Sequence, residues 1–187
     1  TPIEEEDCMS ATGSDTRWAG INKVMHWGLA LVVILTFVAV WYAGSLPKGD
    51  PGKGTWMMLH KSFGFTALVL TVIWRVIRVK TGRPAPYGAA WQVRLSQLTH
   101  WGLILLVLAM PLGGILMSQV GGRDLDVFNL FTIPAVMAEN KDLAGLIHTI
   151  HTKFAGPLLL FLIVVHTVGA LWHHFVDKDD TLKRMVH

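Results

Sequence analysis

Cysteine and charge are both scarce in this chain. Of its 187 residues one is cysteine, Cys8, and 16% are Asp, Glu, Lys or Arg. A single cysteine excludes an internal disulfide framework, and no C-x-x-C or C-x-x-C-H motif is present, so thiol redox chemistry and covalent haem attachment are not supported. Soluble domains contain about 25% charged residues, so the shortage of charge argues against a soluble class.

Four long stretches contain almost no charged residues. Residues 24–47 and 95–122 contain none, residues 54–77 contain only Lys61 and Arg75, and residues 143–176 contain only Lys153. A membrane-spanning helix needs about 20 mainly apolar residues. The sequence therefore predicts an all-α integral membrane protein, a single bundle of four transmembrane helices. We expect these helices at about residues 22–44, 56–80, 95–119 and 144–175, and the fourth is long enough to project into water.

Basic residues are distributed unequally between the two sides of such a bundle. Ten would lie on the side of both termini: Arg17, Lys23, Arg75, Arg78, Lys80, Arg83, Arg94, Lys178, Lys183 and Arg184. Five would lie on the other side: Lys48, Lys53, Lys61, Arg123 and Lys141. Because cytoplasmic loops carry the excess of Lys and Arg, we expect both termini in the cytoplasm. No basic stripe interleaved with aromatic residues indicates nucleic-acid binding.

Residues 1–20 differ in character from the rest of the chain. They are polar, with acidic residues at positions 4–7, and they lack the apolar segment of a signal peptide. We expect a polar N-terminal tail, followed by a membrane domain at residues 21–187.

Four histidines lie inside the predicted spans: His26, His60, His151 and His166. An ionisable side chain at membrane depth is costly and usually marks a functional site. If consecutive spans are antiparallel, His26 and His166 lie at one face, and His60 and His151 lie at the other. The fifteen residues between His151 and His166 rise about 22 Å along a helix. Two stacked histidine pairs are what two bis-histidine haems require.

His148 is an alternative to His151 in the second pair. Fifteen residues leave His151 and His166 about 60° apart around an ideal helix, whereas eighteen residues bring His148 into line with His166. However, Gly156-Pro157 lies between them. Proline often accompanies a kink or bulge, which would realign His151. We therefore expect His151 to be the ligand and keep His148 as its rival.

Several stretches resemble the bacterial cytochrome b561 family. They are Val24-Met25-His26-Trp27, residues 59–64, Leu98-Thr99-His100-Trp101, and the C-terminal run from His166 through residues 172–175 to 179–185. The likeness covers nearly everything after residue 16. It implies a four-helix cytochrome of the bacterial inner membrane with two b haems. His26 and His166 would ligate the cytoplasmic haem, and His60 and His151 the periplasmic haem. In the family the two ligands of the fourth helix are fourteen residues apart, whereas here they are fifteen apart.

Three basic residues are candidates for contact with haem propionates. Arg75 and Arg78 share a face at the cytoplasmic end of the second helix, and Arg matches carboxylate geometry. They are equally well placed for anionic lipid head groups. Lys61, next to His60, is suited to the same role at the other side, to attracting an anionic substrate, or to extending toward the interface.

Three further histidines are candidate quinone contacts: His100, His173 and His174. A quinone needs a hydrogen-bond donor for its carbonyl group and a route for protons, and neutral histidine can supply both. A structural role at the membrane interface, beside Trp172 in an aromatic belt, is equally compatible with the pattern.

We therefore expect a membrane oxidoreductase that transfers electrons between the quinone pool and a second redox partner. Within the resemblance, one such reaction is oxidation of superoxide at the periplasmic side with reduction of ubiquinone, and Lys48, Lys53 and Lys61 would attract the anion. The long connection at residues 121–142 is expected to cover the periplasmic haem or to dock a redox partner.

Two alternatives remain open. The chain could be the cytochrome b anchor subunit of a periplasmic hydrogenase or formate dehydrogenase, although the run that begins at His173 favours the stand-alone family. It could also be a histidine-lined transporter of protons or metal without haem. The wholly apolar residues 158–165 between the two histidine layers favour a dry cofactor site over a transport path.

Overall fold

The computed structural model describes residues 18–81 and 84–186, and its main feature is four long helical spans. They are α1 (Gly20–Ser45), α2 (Gly52–Thr81), α3 (Ala90–Val120) and a fourth span, Lys141–Asp177. Each is long and apolar enough to cross a membrane. The predicted helical membrane bundle is therefore confirmed, and the chain is a multi-pass membrane protein. Residues 1–17 of the predicted polar tail lie outside the described residues.

The fourth span is not a uniform α-helix. It consists of α4 (Lys141–Thr149), a first π segment (Ile150–Ala155), α5 (Gly156–Trp172) and a second π segment (His173–Asp177). A short helix, α6 (Lys183–Val186), follows. At 37 residues the fourth span is the longest of the four, as the sequence suggested.

All four spans begin before the residue that the hydropathy pattern predicts, and the difference is largest at α2 and α3, where polar side chains accept hydrogen bonds from N–H groups near the helix starts. The Asp50 carboxylate accepts a hydrogen bond from the Gly52 N–H at 2.7 Å, so α2 begins at Gly52. The Gln92 side-chain oxygen accepts one from the Ala89 N–H at 2.6 Å, so α3 begins at Ala90.

Hydrogen bonds between helix ends show that the spans alternate in direction. Asn22 near the start of α1 donates to Thr81 at the end of α2 at 2.8 Å, and Gln92 at the start of α3 donates to Asp177 at 2.9 Å. We call this the terminal end of the bundle. We call the opposite end, where α1 meets α2 and α3 leads to a β-hairpin, the hairpin end.

Small residues form the contacts between helices, and large apolar residues face outward. Ala39, Ala43 and Ala67 are buried, and small side chains allow membrane helices to approach closely. On α1, by contrast, Leu31 and Val38 are exposed and lie on one stripe. A soluble protein would bury its large apolar side chains, so their outward placement here is that expected of a surface in contact with lipid.

The connection between α3 and the fourth span contains an antiparallel hairpin that the sequence analysis did not predict. Its strands are β1 (Leu125–Val127) and β2 (Phe131–Ile133). Phe128 and Asn129 both have positive φ, 52° and 56°, and the Leu130 N–H donates to the Val127 carbonyl, as in a type I′ turn. Val127 pairs with Phe131, so Leu130 is an additional residue between the two strands. The sequence lacks the Asn-Gly or Asp-Gly pair that usually signals such a turn, so the hairpin was missed.

Asn22 provides the first test of this packing. It is fully buried, donates to Thr81 and accepts a hydrogen bond from Trp74 Nε1 at 3.0 Å. We expect Asn22→Ala to lower stability by about 1–3 kcal/mol, because it leaves buried polar partners unpaired. Thermal unfolding in detergent would show this as a lower apparent Tm. Thr55→Ala, at an exposed position of α2, is the control, and equal Tm values for the two variants would contradict the assignment.

Candidate functional site

The four histidines predicted to act together form two facing pairs in the structure. His26 on α1 and His166 on α5 lie at the terminal end with ring centroids 6.0 Å apart. His60 on α2 and His151 in the first π segment lie at the hairpin end with ring centroids 6.3 Å apart. The structure thus brings together the same pairs that antiparallel spans were expected to form.

The spacing within each pair matches the space that one metal ion needs between two imidazoles. Metal–imidazole bonds are about 2 Å long and each bonded nitrogen lies roughly 1 Å from its ring centre, so two ligating rings have centroids about 6 Å apart. The separations of 6.0 and 6.3 Å in the two pairs are therefore compatible with an iron atom between the rings.

His60 is also oriented by a hydrogen bond of the kind that metal-ligating histidines make. Its Nδ1 lies 3.0 Å from the backbone oxygen of Thr36 on α1. Because only an N–H can bond to a carbonyl oxygen, Nδ1 carries the proton and Nε2 keeps its lone pair. A backbone carbonyl that fixes the tautomer in this way is a common outer-shell partner of a ligand histidine.

The first π segment explains how His151, and not His148, comes to face His60. A π bulge inserts one residue into a helix without adding a turn, so the fifteen-residue interval to His166 acts as a fourteen-residue one. The N–H of Gly156 bonds to the His151 carbonyl, as a π turn requires. His148 lies on the exposed side, where its carbonyl accepts a hydrogen bond from Thr152.

Glycines of α3 make room beside His151. A Cβ at Gly114 would lie 3.6 Å from His151 Cε1, and one at Gly113 would lie 4.0 Å from His151 Nδ1. Larger side chains at these positions would therefore fill the space next to the ring.

At the terminal end, aromatic residues surround the His26–His166 pair. His100 lies with its ring centroid 5.0 Å from that of His166, and its Nδ1 lies 2.6 Å from the Ser96 carbonyl oxygen. Trp74 lies 6.0 Å from His26. The sequence analysis considered His100 but missed Trp74, because a single tryptophan in an apolar helix carries no distinctive signal.

Arg75 and Arg78 stack on indole rings of the same region. The Arg75 guanidinium lies 5.6 Å from the Trp101 ring centre, and that of Arg78 lies 4.1 Å from Trp18 and 5.8 Å from Trp74. Both guanidinium groups are therefore within cation–π distance of indole rings at the terminal end. This position is compatible with the predicted role beside an anionic group, either a propionate or a lipid phosphate.

His173 is held by two carboxylates, which the sequence analysis missed. Its Nδ1 lies 2.6 Å from Asp179 and 3.4 Å from Asp177. His174 instead packs against Phe175, with ring centroids 4.8 Å apart. The second π segment brings His173 toward the Asp179 loop, where Lys178 adopts a left-handed conformation. The hydrophobic periodicity of the sequence does not predict side-chain contacts that depend on the conformation of such a loop.

Opposing effects act on the pKa of Asp179. Partial burial raises its pKa, but hydrogen bonds from Thr181 and His173 and the nearby charge of His173 together lower it below the ordinary value of 3.8. Hydrogen bonds to a carboxylate stabilise its ionised form. Asp179 is therefore an anion across the physiological pH range.

Lys61 lies at the hairpin end in a pocket with two acidic residues. Asp124 and Asp126 line this pocket together with Met57 and Met58. The sequence analysis placed Lys61 among a group of cations, but the structure surrounds it with both signs of charge.

The comparison with known proteins agrees with this arrangement. Residues 17–187 match the family described as prokaryotic cytochrome b561. The chain belongs to the prokaryotic cytochrome b561 family. Membership implies a b-type haem and a redox role in the membrane, as the resemblance in the sequence suggested.

Three relatives in this cytochrome b561 family match nearly the whole chain. Cytochrome b561 homolog 2 of Escherichia coli (strain K12) is 34% identical over 181 residues, 95% of each chain. Cytochrome b561 homolog 1 of the same organism is 31% identical over 172 residues, 91% of this chain and 97% of its own. A protein of Yersinia pestis named "Probable superoxide oxidase CybB" is 32% identical over 173 residues, 91% of this chain and 96% of its own.

The residues present fit a b-type haem. Two imidazoles face each other in each layer, with ring centroids 6.0 and 6.3 Å apart, and histidine nitrogen is a ligand of haem iron. At His60 the hydrogen bond from Nδ1 to Thr36 leaves the lone pair of Nε2 for the metal.

Deleting one residue tests the role of the first π segment. We expect deletion of Lys153 to convert the segment to α-helix, to keep His151 and His166 in register and to preserve the haem content of the wild type. Insertion of one alanine after Leu160 is the matched control, because it lengthens the interval to sixteen residues and turns His151 relative to His166 by about 100°. Loss of haem from the Lys153 deletion, with haem kept in the insertion variant, would overturn this explanation.

Asp179 gives a prediction about pH. A carboxylate whose pKa is lowered on folding contributes stability above its unfolded pKa, and this contribution is lost as the pH falls through the lowered value. We therefore expect Asp179→Asn to reduce the apparent Tm at neutral pH, and the Tm values of variant and wild type to converge well below pH 3.8. Asp180→Asn, which removes an exposed pair with Lys183, should have little effect. If the Tm difference between Asp179→Asn and the wild type were the same at all pH values, the lowered pKa of Asp179 would not be the source of its contribution to stability.

Proposed function

We propose that the chain transfers electrons across the membrane through two b haems, each held by a histidine pair. His26 and His166 would hold one at the terminal end, and His60 and His151 the other at the hairpin end. The observation that supports this proposal is the presence of two facing pairs with centroid separations of 6.0 and 6.3 Å. A bound b haem supplies a centre that gains and loses one electron.

The protein's own contribution would be to orient the ligands and to keep water away from them. The hydrogen bond from His60 to Thr36 fixes one ring, and such bonds also tune the redox potential of a ligated metal. Residues 158–165 between the two layers are wholly apolar. This composition favours a dry cofactor site over a path for protons or metal ions.

The orientation of the bundle is part of the proposal. The sequence analysis assigns ten Lys and Arg residues to the side of the termini and five to the other side. Two of the ten, Arg17 and Arg83, lie outside the described residues. We assign the terminal end, with both termini, to the cytoplasm. The hairpin end would then face the periplasm.

We further propose ubiquinone and superoxide as the two redox partners. The Yersinia pestis relative is named a probable superoxide oxidase, and His100, His173 and His174 lie toward the terminal end, where a quinone could meet donors. At the hairpin end, Lys48 and Lys53 lie in or next to the loop between α1 and α2. They would attract a small anion, whereas Asp124 and Asp126 beside Lys61 weaken that attraction.

Ligand variants test the first part of this proposal. We expect His151→Ala to lose one of the two haems and His148→Ala to keep both, because only His151 faces His60. The measurement is the pyridine haemochrome content per purified chain, together with the reduced-minus-oxidised spectrum. Haem loss in His148→Ala with full haem content in His151→Ala would reverse the assignment.

Charge reversal tests the second part. We expect the double variant Lys48→Glu and Lys53→Glu to slow superoxide consumption by about tenfold at low salt and to weaken its dependence on ionic strength. Lys80→Glu at the terminal end is the matched control and should leave the rate unchanged. If the double variant matches the wild type in rate and salt dependence, the proposed attraction of superoxide is wrong.

A further inference from the structure

The β1–β2 hairpin covers the outer face of α2, not the end of the bundle. Ser62 of α2 is 0% exposed. It lies about 200° around the helix from His60, which faces His151 in the bundle interior. Ser62 would therefore point outward, and it is buried only because the hairpin lies over it.

Two aromatic contacts extend this packing along α2. Phe128 in the turn lies 5.3 Å from Phe63, and Phe131 on β2 lies 6.1 Å from Phe65, measured between ring centroids. The turn of the hairpin thus reaches past Ser62 toward the middle of the helix.

The same face of α2 continues as apolar surface in contact with lipid. Val69, Ile73 and Val76 follow Phe65 at helical spacing, and all three are exposed. In a membrane-spanning helix, exposed apolar residues of this kind lie against acyl chains. The surface of the hairpin is therefore continuous with the lipid-facing surface of the bundle.

The depth of the hairpin can be judged from an aromatic pair. Tyr42 and Trp56 stack at the hairpin end with centroids 4.5 Å apart, and Tyr and Trp collect at the membrane–water interface. Ser62 and Phe65 are six and nine residues beyond Trp56, so they lie about 9 and 13 Å deeper along α2. The contacts of the hairpin are consequently below the interface.

α2 supplies a hydrogen-bond partner for the backbone at the turn of the hairpin. Ser62 Oγ accepts a hydrogen bond from the Phe128 N–H at 2.9 Å and lies 3.2 Å from the Asp126 carbonyl oxygen. The Leu130 N–H donates to the Val127 carbonyl across the turn at 2.9 Å. Non-helical backbone is tolerated within a membrane where the protein supplies such partners.

We infer that the turn of this hairpin is embedded in the lipid leaflet at the hairpin end, with Leu130 and Phe131 against acyl chains. Leu130 is 80% exposed and Phe131, at the start of β2, is 49% exposed despite its contact with Phe65, which in water would leave much of two large apolar side chains in contact with solvent. The occupant of this surface is therefore lipid. The inference requires only the membrane bundle and does not depend on the haem content.

Spin labelling of single cysteine variants in lipid nanodiscs tests this inference. In a Cys8→Ser background, Leu130→Cys carries the label, and collision rates with oxygen and with a water-soluble nickel chelate are measured. We expect oxygen to dominate at Leu130, as at the lipid-facing reference Val72→Cys. Leu130 is so exposed that the substitution should not disturb packing.

Val136→Cys is the matched control. Val136 is as exposed as Leu130, at 82%, but its N–H is bonded to Gln119 near the end of α3. We expect its label to lie shallower, with Glu139→Cys as the aqueous reference. Nickel accessibility at Leu130 equal to that at Glu139 would place the turn in water and overturn the inference. Low accessibility to both reagents with spin–spin broadening would assign the surface to a second copy and would also overturn it.

Discussion

Polar atoms inside a membrane bundle must find partners within the protein, because hydrocarbon offers none. This constraint explains most of the polar contacts described above. Asn22 satisfies Thr81 and Trp74, Thr36 satisfies His60, and Ser62 satisfies the hairpin backbone. Three buried side-chain atoms among the described residues have no hydrogen-bond partner: His26 Nδ1, His174 Nδ1 and Ser118 Oγ. In our account haem iron would join the two imidazoles of each histidine pair through their ligating nitrogens.

The first π segment shows how a local irregularity can preserve a site. A one-residue difference in ligand spacing would rotate His151 by about 100° in a regular α-helix. The segment Ile150–Ala155 absorbs that residue directly before Gly156-Pro157. Such bulges are rare and occur frequently at functional sites. The second π segment, at His173–Asp177, has a comparable effect and brings His173 to Asp179.

The bundle and the histidine pairing could be predicted from the sequence, because both follow from long-range regularities. Charge-free stretches indicate the spans, and antiparallel order then brings His26 near His166. The hairpin, the Asp179 contact and the early start of α2 could not be predicted. They depend on individual turns and side-chain hydrogen bonds, such as Phe128 with Ser62 or Asp50 with Gly52. Neither the hydropathy of the chain nor its helical periodicity predicts these short-range contacts.

The central claim is that two facing histidine pairs each bind one low-spin b haem. Low-temperature EPR of the oxidised, purified protein, combined with haem quantification per chain, tests it most directly. The account predicts two haems per chain and two low-spin ferric signals, because both axial positions of each iron are filled by histidine. A single haem, or a high-spin signal in intact protein, would contradict it.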